Sequence, residues 1–329
     1  MSHALHVTGI GNAIVDVIAH ADDALLHKLS MPKGGMTLID PAQAESLYAQ
    51  MGPGIEMSGG SVANSMAGIA SLGGAVGYIG KVKKDQLGDV FAHDIRAAGV
   101  EFTTQLASDG PSTARCLIFV TPDGQRTMNT YLGACVELSP QDIDESLIRK
   151  SGITYLEGYL WDPPLAKEAM LKAANVAHAA GRKVALSLSD AFCVGRHRAE
   201  FKRLIEDHVD ILFANETELL ALTEQTTFLA GAAALRGKCE LSVLTRGAQG
   251  ATVLVGDETY EVSAAKVDKV VDTTGAGDLF AAGFLYGITH ARTPADSARI
   301  GAVCAAEVIG HYGARPEVSL KDLIAQKIG

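Results

Sequence analysis

The sequence predicts an α/β fold: helices covering both faces of a mostly parallel sheet, with a small second sheet set apart. Three observations predict it. Short apolar runs alternate with helical segments along most of the 329 residues, the 35 glycines gather where those runs end, and the stretch 112–132 interrupts the alternation with a hairpin. Strands joined through helices of about 10–15 residues are βαβ units, whose crossovers pair the strands in parallel.

Residues 6–11 form a buried strand, and the apolar stretch continues through Ile18. Small side chains at 61–72 make a helix that Gly73-Gly74 ends. A strand follows at 76–79, and a helix at 89–98 closes on Gly99. The rhythm then runs strand 153–156, helix 166–180, strand 184–188, helix 200–208, strand 211–214 and strand 241–245, with helices near 277–289 and 295–310. In the hairpin, Pro122-Asp123-Gly124 supplies the turn chemistry. With 13–19 and 36–39 it makes the small sheet, a discontinuous β lid over 12–20, 34–40 and 112–134. No repeat, low-complexity tract or Pro/Ser-rich linker divides the chain, so the lid is an insertion into one domain, 1–329.

Apolar residues make up 47% of the chain and charged residues 20%, the balance of a large core under a solvated surface. The formal net charge is -10 with no run of Lys or Arg, which argues against a nucleic-acid partner. It does not argue against phosphates, which glycine turns and helix N-termini bind with few fixed cations. Cys116, Cys135, Cys193, Cys239 and Cys304 lack C-x-x-C spacing and read as reduced thiols, not a disulfide frame or zinc site. Residues 1–5 have neither the basic nor the apolar region of a signal peptide, and no window reaches the roughly 18 apolar residues that span a bilayer. The expectation is a cytoplasmic protein without a membrane partner.

The most informative stretch is Asp272-Thr273-Thr274-Gly275-Ala276-Gly277-Asp278-Leu279-Phe280. Its second half begins a helix, with Leu279, Phe280, Gly283 and Phe284 at helical spacing. Gly275, Ala276 and Gly277 therefore sit where unpaired N–H groups and the positive end of the helix dipole face outward, and their small side chains admit an anion. A transferring phosphoryl group carries its charge on oxygens that such a loop can hold. Asp278 follows directly, placed to take a proton from an attacking hydroxyl. A plain first-turn cap is the other reading of Asp278.

That string resembles the second signature of the PfkB family, the ribokinase-like carbohydrate and nucleoside kinases. Gly59-Gly60-Ser61-Val62-Ala63-Asn64, with Gly80-Lys81-Val82-Lys83-Lys84-Asp85-Gln86-Leu87-Gly88, resembles the first signature. Asn215-Glu216-Thr217-Glu218 is similar to the family's N-x-x-E motif, and Thr245-Arg246-Gly247-Ala248-Gln249-Gly250 to its nucleotide loop. The four motifs stand in the family's order across nearly the whole chain. The resemblance implies a ribokinase-like three-layer α/β/α sandwich and a kinase using ATP and Mg2+. Asp278 would be the base and Gly275, Ala276 and Gly277 the anion hole. Asn12, Asp16, Gly59, Gly60 and Asn64 would hold the acceptor. Asn215, Thr245, Arg246, Gly247 and Gly250 would serve the nucleotide, with Glu218 acting on magnesium through water. Backbone near Asp272, Thr274, Val308, His311 and Gly313 would hold K+, as in many relatives. Each upstream residue has a plainer reading as well: Asp16 and Arg246 as solvated residues, Asn64 as a helix cap, Glu218 as a surface charge.

For the acceptor, Asn12 to Asp16, residues 59–64 and 305–309 resemble the adenosine kinase branch, which converts adenosine and ATP to AMP and ADP. The hairpin with Met36 and Leu38 could supply an apolar slot for the base, or simply pack the small sheet. Fructokinase or another sugar kinase is the rival, and a phosphorylated sugar ranks third, since Arg115 and Arg126 are the few lid cations. A nucleoside sensor without turnover is the reading from another class. An exposed lid face offers a seam for a homodimer. A Rossmann dehydrogenase fails because Gly9-Ile10-Gly11 is followed by Ile14 where the third glycine belongs, and a Walker loop because Val82 follows Gly80-Lys81.

Overall fold

The computed structural model describes residues 4–328, so residues 1–3, part of the segment that bears on a leader, lie outside the described residues. The strands, in chain order, are β1 (Leu5–Ile10), β2 (Ile14–His20), β3 (Met36–Leu38), β4 (Gly54–Gly59), β5 (Val76–Ile79), β6 (Val100–Phe102), β7 (Ala114–Val120) and β8 (Arg126–Tyr131). They continue with β9 (Ser151–Glu157), β10 (Lys183–Ser187), β11 (Ile211–Asn215), β12 (Leu241–Thr245), β13 (Ala251–Val255) and β14 (Glu258–Val262). Among the described residues they form a nine-stranded sheet, ordered β14-β13-β12-β11-β10-β9-β1-β5-β6, and a five-stranded sheet, ordered β3-β8-β7-β2-β4.

The large sheet is parallel from β6 to β12, and β13 and β14 close its edge as an antiparallel hairpin. Its inner strands are apolar on both faces, as a parallel sheet covered by helices on both sides requires. One face packs on the helices Ser61–Ser71, Ala276–Thr289 and Pro294–Val308, burying Val7, Met66, Tyr155, Phe213 and Phe284. The other packs on Pro164–Ala179 and Ala191–His208, burying Ile10, Leu156, Met170, Leu186 and Phe201. This is the α/β/α sandwich that the alternation predicts.

Glycine sets how closely two of those helices approach. A Cβ on Gly283 would lie 2.7 Å from the Cα of Gly301, and one on Gly287 would lie 2.8 Å from that of Ser297.

In the small sheet, β2 pairs with β7 in parallel and with β4 antiparallel, while β8 pairs antiparallel with β7 and in parallel with β3. One face carries Val15, Val17, Leu117 and Phe119, which join the main core together with Leu26 and Met31. The register puts Asp16, Cys116 and Thr130 in one row of the opposite face, and Ile55, Ile18, Ile118, Met128 and Met36 in the next.

The structure extends the sequence reading in three places. Strand β4 joins the small sheet, although its glycine-flanked residues carry no strand signal and become extended by pairing with β2. The helix expected over 200–208 runs from Ala191 to His208, because a kink at His197 (φ −119°, ψ 22°) joins two helical pieces. The β13–β14 hairpin departs from the βαβ rhythm at a sheet edge, where antiparallel pairing needs no crossover helix.

Gly283→Val would force the two glycine-paired helices apart and is expected to cost about 1–3 kcal/mol by overpacking. Urea unfolding measures it, and an unchanged midpoint would show that the close approach does not constrain the fold.

Candidate active site

The loop before helix Ala276–Thr289 is folded by its own polar groups. Asp272 Oδ1 accepts from the Thr274 N–H at 3.0 Å and from its hydroxyl at 2.7 Å. Gly275, the N-cap, has φ 78°, and a Cβ there would lie 2.7 Å from that of Ala314. The Ala276 N–H turns back to the Thr273 carbonyl, whereas those of Gly275, Gly277 and Asp278 have no partner among the described residues. Three free amides at the positive end of a 14-residue helix form a group that can accept an anion.

Asp278 is not the cap of this helix. Its carboxylate accepts from Ser61 Oγ at 2.6 Å and from Asn64 Nδ2 at 3.0 Å, and Ser65 Oγ donates to its main-chain oxygen at 2.9 Å. Burial raises its pKa, while Ser61, Asn64 and the Arg315 charge oppose that rise. Asn64 is buried at the end of the first turn of its helix, and its Oδ1 has no partner. Asp16 lies within β2, not in a turn, and its carboxylate fills the space where a Gly59 Cβ would sit, 2.5 Å away. Burial lifts its pKa to about 6 against the pull of Arg126 and Arg315. Gly60 has φ 98°, and a Cβ there would strike the Asn12 carbonyl at 2.1 Å.

Asn12 is anchored by Glu157 at the end of β9, which accepts from its N–H (3.2 Å), from its Nδ2 (2.7 Å) and from the Val62 N–H (3.1 Å). Glu157 is buried, and desolvation lifts its pKa to about 7 despite those donors. Sequence reasoning missed it, because nothing local distinguishes a glutamate at a strand end. It also missed Ser61, although that residue stands inside the first motif, and Arg315.

Beside the anion loop lies a cleft of about 590 Å³, lined by Thr245, Gly247, Gly250, Thr273, Ala276, Gly277 and Phe280 among others. Arg246 is not among its lining residues. Its guanidinium stacks 4.0 Å over the Phe228 ring and pairs with Glu216. A smaller cavity of about 160 Å³ joins Ser61, Asn215, Glu218, Gly277 and Asp278. Asn215 and Glu218 close on each other as a capping box, and Glu218 is buried, with a pKa lifted by desolvation to about 7. The loop 308–313 docks on the anion loop through Val271 N to Ile309 O (2.8 Å) and Gly313 N to Asp272 Oδ2 (3.2 Å). Val308 is buried there, and the His311 ring turns to Glu307. The same Asp272 oxygen pairs with Arg126 of β8 at 2.7 Å, both side chains buried, and Arg126 Nε and Nη2 remain without partners.

A parallel α/β sandwich with unpaired amides at a helix N-terminus, a carboxylate at their side and a nucleotide-sized cleft adjoining defines a small-molecule kinase. The sequence profile of the pfkB family carbohydrate kinases matches residues 40–320. The adenosine kinase of Sinorhizobium meliloti is 51% identical, with a TM-score of 0.91 over 98% of this chain and 99% of that one. A probable sugar kinase of Rhizobium etli CFN 42 is 48% identical, with a TM-score of 0.92 over 99% of both chains. The 5-dehydro-2-deoxygluconokinase of Shouchella clausii is 29% identical over 82% of this chain and 86% of its own length. The chain belongs to the pfkB family of carbohydrate kinases and is an ATP-dependent kinase. Among the described residues, no helix is long and apolar enough to cross a membrane.

The buried Glu157 makes a pH prediction. Its folded pKa is raised from 4.5 to about 7, so the folded state binds the proton more tightly. Stability from this group is full below the unfolded value and is lost as pH rises towards 7. Relative to Glu157→Gln, the wild type should therefore lose on the order of 3 kcal/mol between pH 4.5 and 7. Denaturation of both proteins across that range tests it, and a constant difference would show that Glu157 does not titrate there.

Proposed function

We propose that this kinase phosphorylates the hydroxymethyl group of a nucleoside, with adenosine as the acceptor and ATP as the donor. The observation that carries the nucleoside reading is the apolar face of the small sheet, on which Cys116 and Ile118 are buried while its edge is exposed. Asp16 shares that face with Ile18, Cys116, Ile118 and Met128, and at its edge Met36 and Leu38 are 54% and 60% exposed. A free sugar sets little apolar surface against such a face, whereas a purine base sets a whole ring face. The 51% identical relative named an adenosine kinase supports the same reading.

In the reaction so proposed, Asp16, Gly59, Gly60, Asn12 and Asn64 hold the acceptor's hydroxyls, the unpartnered Asn64 Oδ1 being an acceptor already in place. The hydroxymethyl oxygen attacks the γ-phosphorus and its proton passes to Asp278. The bond from that phosphorus to the β,γ-bridging oxygen breaks, and ADP leaves. A weak base suffices where the transition state is loose and the proton departs late. Charge on the transferring oxygens is met by the amides of Gly275, Gly277 and Asp278, and by the unpartnered donors of Arg126. The donor's nucleoside lies in the cleft of Thr245, Gly247 and Gly250. Asn215 and Glu218 face the phosphates, and Glu218 would hold Mg2+ through its hydration shell. Such an ion supplies neutralisation of phosphate charge. The carboxylate of Asp272 is already committed to Thr274, Gly313 and Arg126, so a K+ between the two docked loops would rest on main-chain oxygens. The small sheet acts as a lid that excludes water, the competing acceptor.

A sugar kinase is the second reading, favoured by the 48% identical relative's name and by a hydroxyl-binding set that serves ribose or fructose equally. A sensor without turnover fits poorly with free amides placed beside a carboxylate.

Asp278→Asn is expected to lower kcat by roughly 10²–10⁴-fold while leaving ATP affinity and melting temperature near those of the wild type. A fully active variant would remove Asp278 as the base. Turnover of adenosine, inosine, ribose, fructose and 5-dehydro-2-deoxygluconate with ATP and Mg2+ should rank adenosine highest in kcat/KM. A preferred free sugar would overturn the nucleoside reading and reassign the apolar lid face to packing, and no turnover with any acceptor would sink the kinase mechanism.

A further inference from the structure

Residues 313–315 bridge the anion loop and the root of the small sheet. Gly313 donates to Asp272, and Ala314 occupies the space against Gly275. Arg315 then reaches Ser58, donating to its carbonyl oxygen from Nε at 3.2 Å and Nη2 at 2.8 Å, and from Nη2 to its hydroxyl at 2.9 Å. Asp94 of the helix Gln86–Ala97 holds the same serine from the other side, accepting from its N–H at 2.7 Å and its hydroxyl at 2.5 Å. Ser58 is buried, and the chain after it is Gly59, against Asp16, then Gly60, then the helix that delivers Ser61 and Asn64 to Asp278.

The clamp is asymmetric. Two guanidinium nitrogens are engaged by Ser58, but Nη1 is buried and has no partner. Leaving that nitrogen buried and unpaired costs free energy. Its charge is answered first by Asp94 and then by Asp16, with Asp278 also acting on it.

We infer that Arg315 is a positioning residue for phosphoryl transfer, locking the Ser58-Gly59-Gly60 turn beside Asp278 and setting a fixed positive charge against Asp278 and Asp16. The inference rests on the kinase reading above. Burial raises the pKa of both carboxyls, and Arg315 opposes the rise in each. Asp278 is also faced by Ser61, Asn64 and Ser65 from their helix, by Asp16 from β2, and by Tyr155, Glu157 and Tyr159 from β9 and the turn after it. Arg126 faces Asp16. Arg315 is thus the basic group acting on both carboxyls at once.

The test is the pH dependence of kcat/KM for the wild type, Arg315→Lys, Arg315→Met and Arg315→Gln. Removing the charge should move the acid limb up by about one pH unit in the Met and Gln variants. The Lys variant should keep the limb and raise KM, because an ammonium cannot reproduce the forked contact with Ser58. Gln retains a donor for the Ser58 carbonyl, so it carries the test if Met disturbs folding. Equal loss of activity in all three variants with an unmoved limb would reduce Arg315 to a staple and overturn the inference. Titrating the Asp278 carboxyl by ¹³C NMR, with the resonance assigned by its loss in Asp278→Asn, reads the same shift without turnover. An inactive wild type would therefore count against the kinase reading alone, and an unshifted resonance in Arg315→Gln against Arg315 alone.

Discussion

The close contact between the first turns of two helices, Ser61–Ser71 and Ala276–Thr289, places every other part of the site. Ser61 and Asn64 on one helix grip the Asp278 carboxylate on the other. The helices can approach this closely because the facing positions are small: a Cβ on Gly68 would lie 2.7 Å from Leu279 and 2.8 Å from Ala282. Once that distance is set, the free amides of the anion loop, the glycine turn at 59–60 and the carboxylate share one edge of the sheet. The location agrees with the tendency of open parallel sheets to bind ligands beyond their strand C-termini.

That arrangement concentrates carboxylates out of water. Asp16, Glu157, Glu218 and Asp278 all have raised pKa values, each with burial as the leading cause. Buried charge is costly unless hydrogen-bonded or paired. The structure answers with main-chain and amide donors at Glu157, a capping box at Glu218, side-chain donors at Asp278, and two arginines, Arg126 with two nitrogens unpartnered and Arg315 with one. An electrostatic site that is prearranged before its ligand arrives has this character.

The small sheet is joined to the core by different chemistry on its two faces. One face is apolar and built into the main core, so the sheet is anchored and not merely tethered. The other carries the row of Asp16, Cys116 and Thr130, then the apolar row of Ile18, Ile118 and Met128, then Arg126 beside Val120. The ion pair of Arg126 with Asp272 and the clamp on Ser58 are two separate polar links between this sheet and the anion loop region. The position of the small sheet and the geometry of the loop 272–278 are therefore mechanically connected.

Much of this was legible locally. Alternating apolar runs and helices specify a parallel sandwich because side-chain periodicity is a property of the segment itself. The loop from Asp272 to Asp278 could be read as an anion site because helix N-termini expose amides whatever surrounds them. Strand β4 could not be read, since its six residues, running from exposed to buried, become extended only when β2 is there to pair with them. Nor could the partners of the charged groups: Ser61 and Asp278 are 217 residues apart, and Ser58 and Arg315 are 257 apart. By itself the sequence determined the fold class and singled out the loop from Asp272 to Asp278, both of which depend on local backbone chemistry. Only the tertiary structure decided which side chains keep the buried carboxylates company, because burial and electrostatic pairing belong to segments brought together by folding and leave no trace in either segment alone.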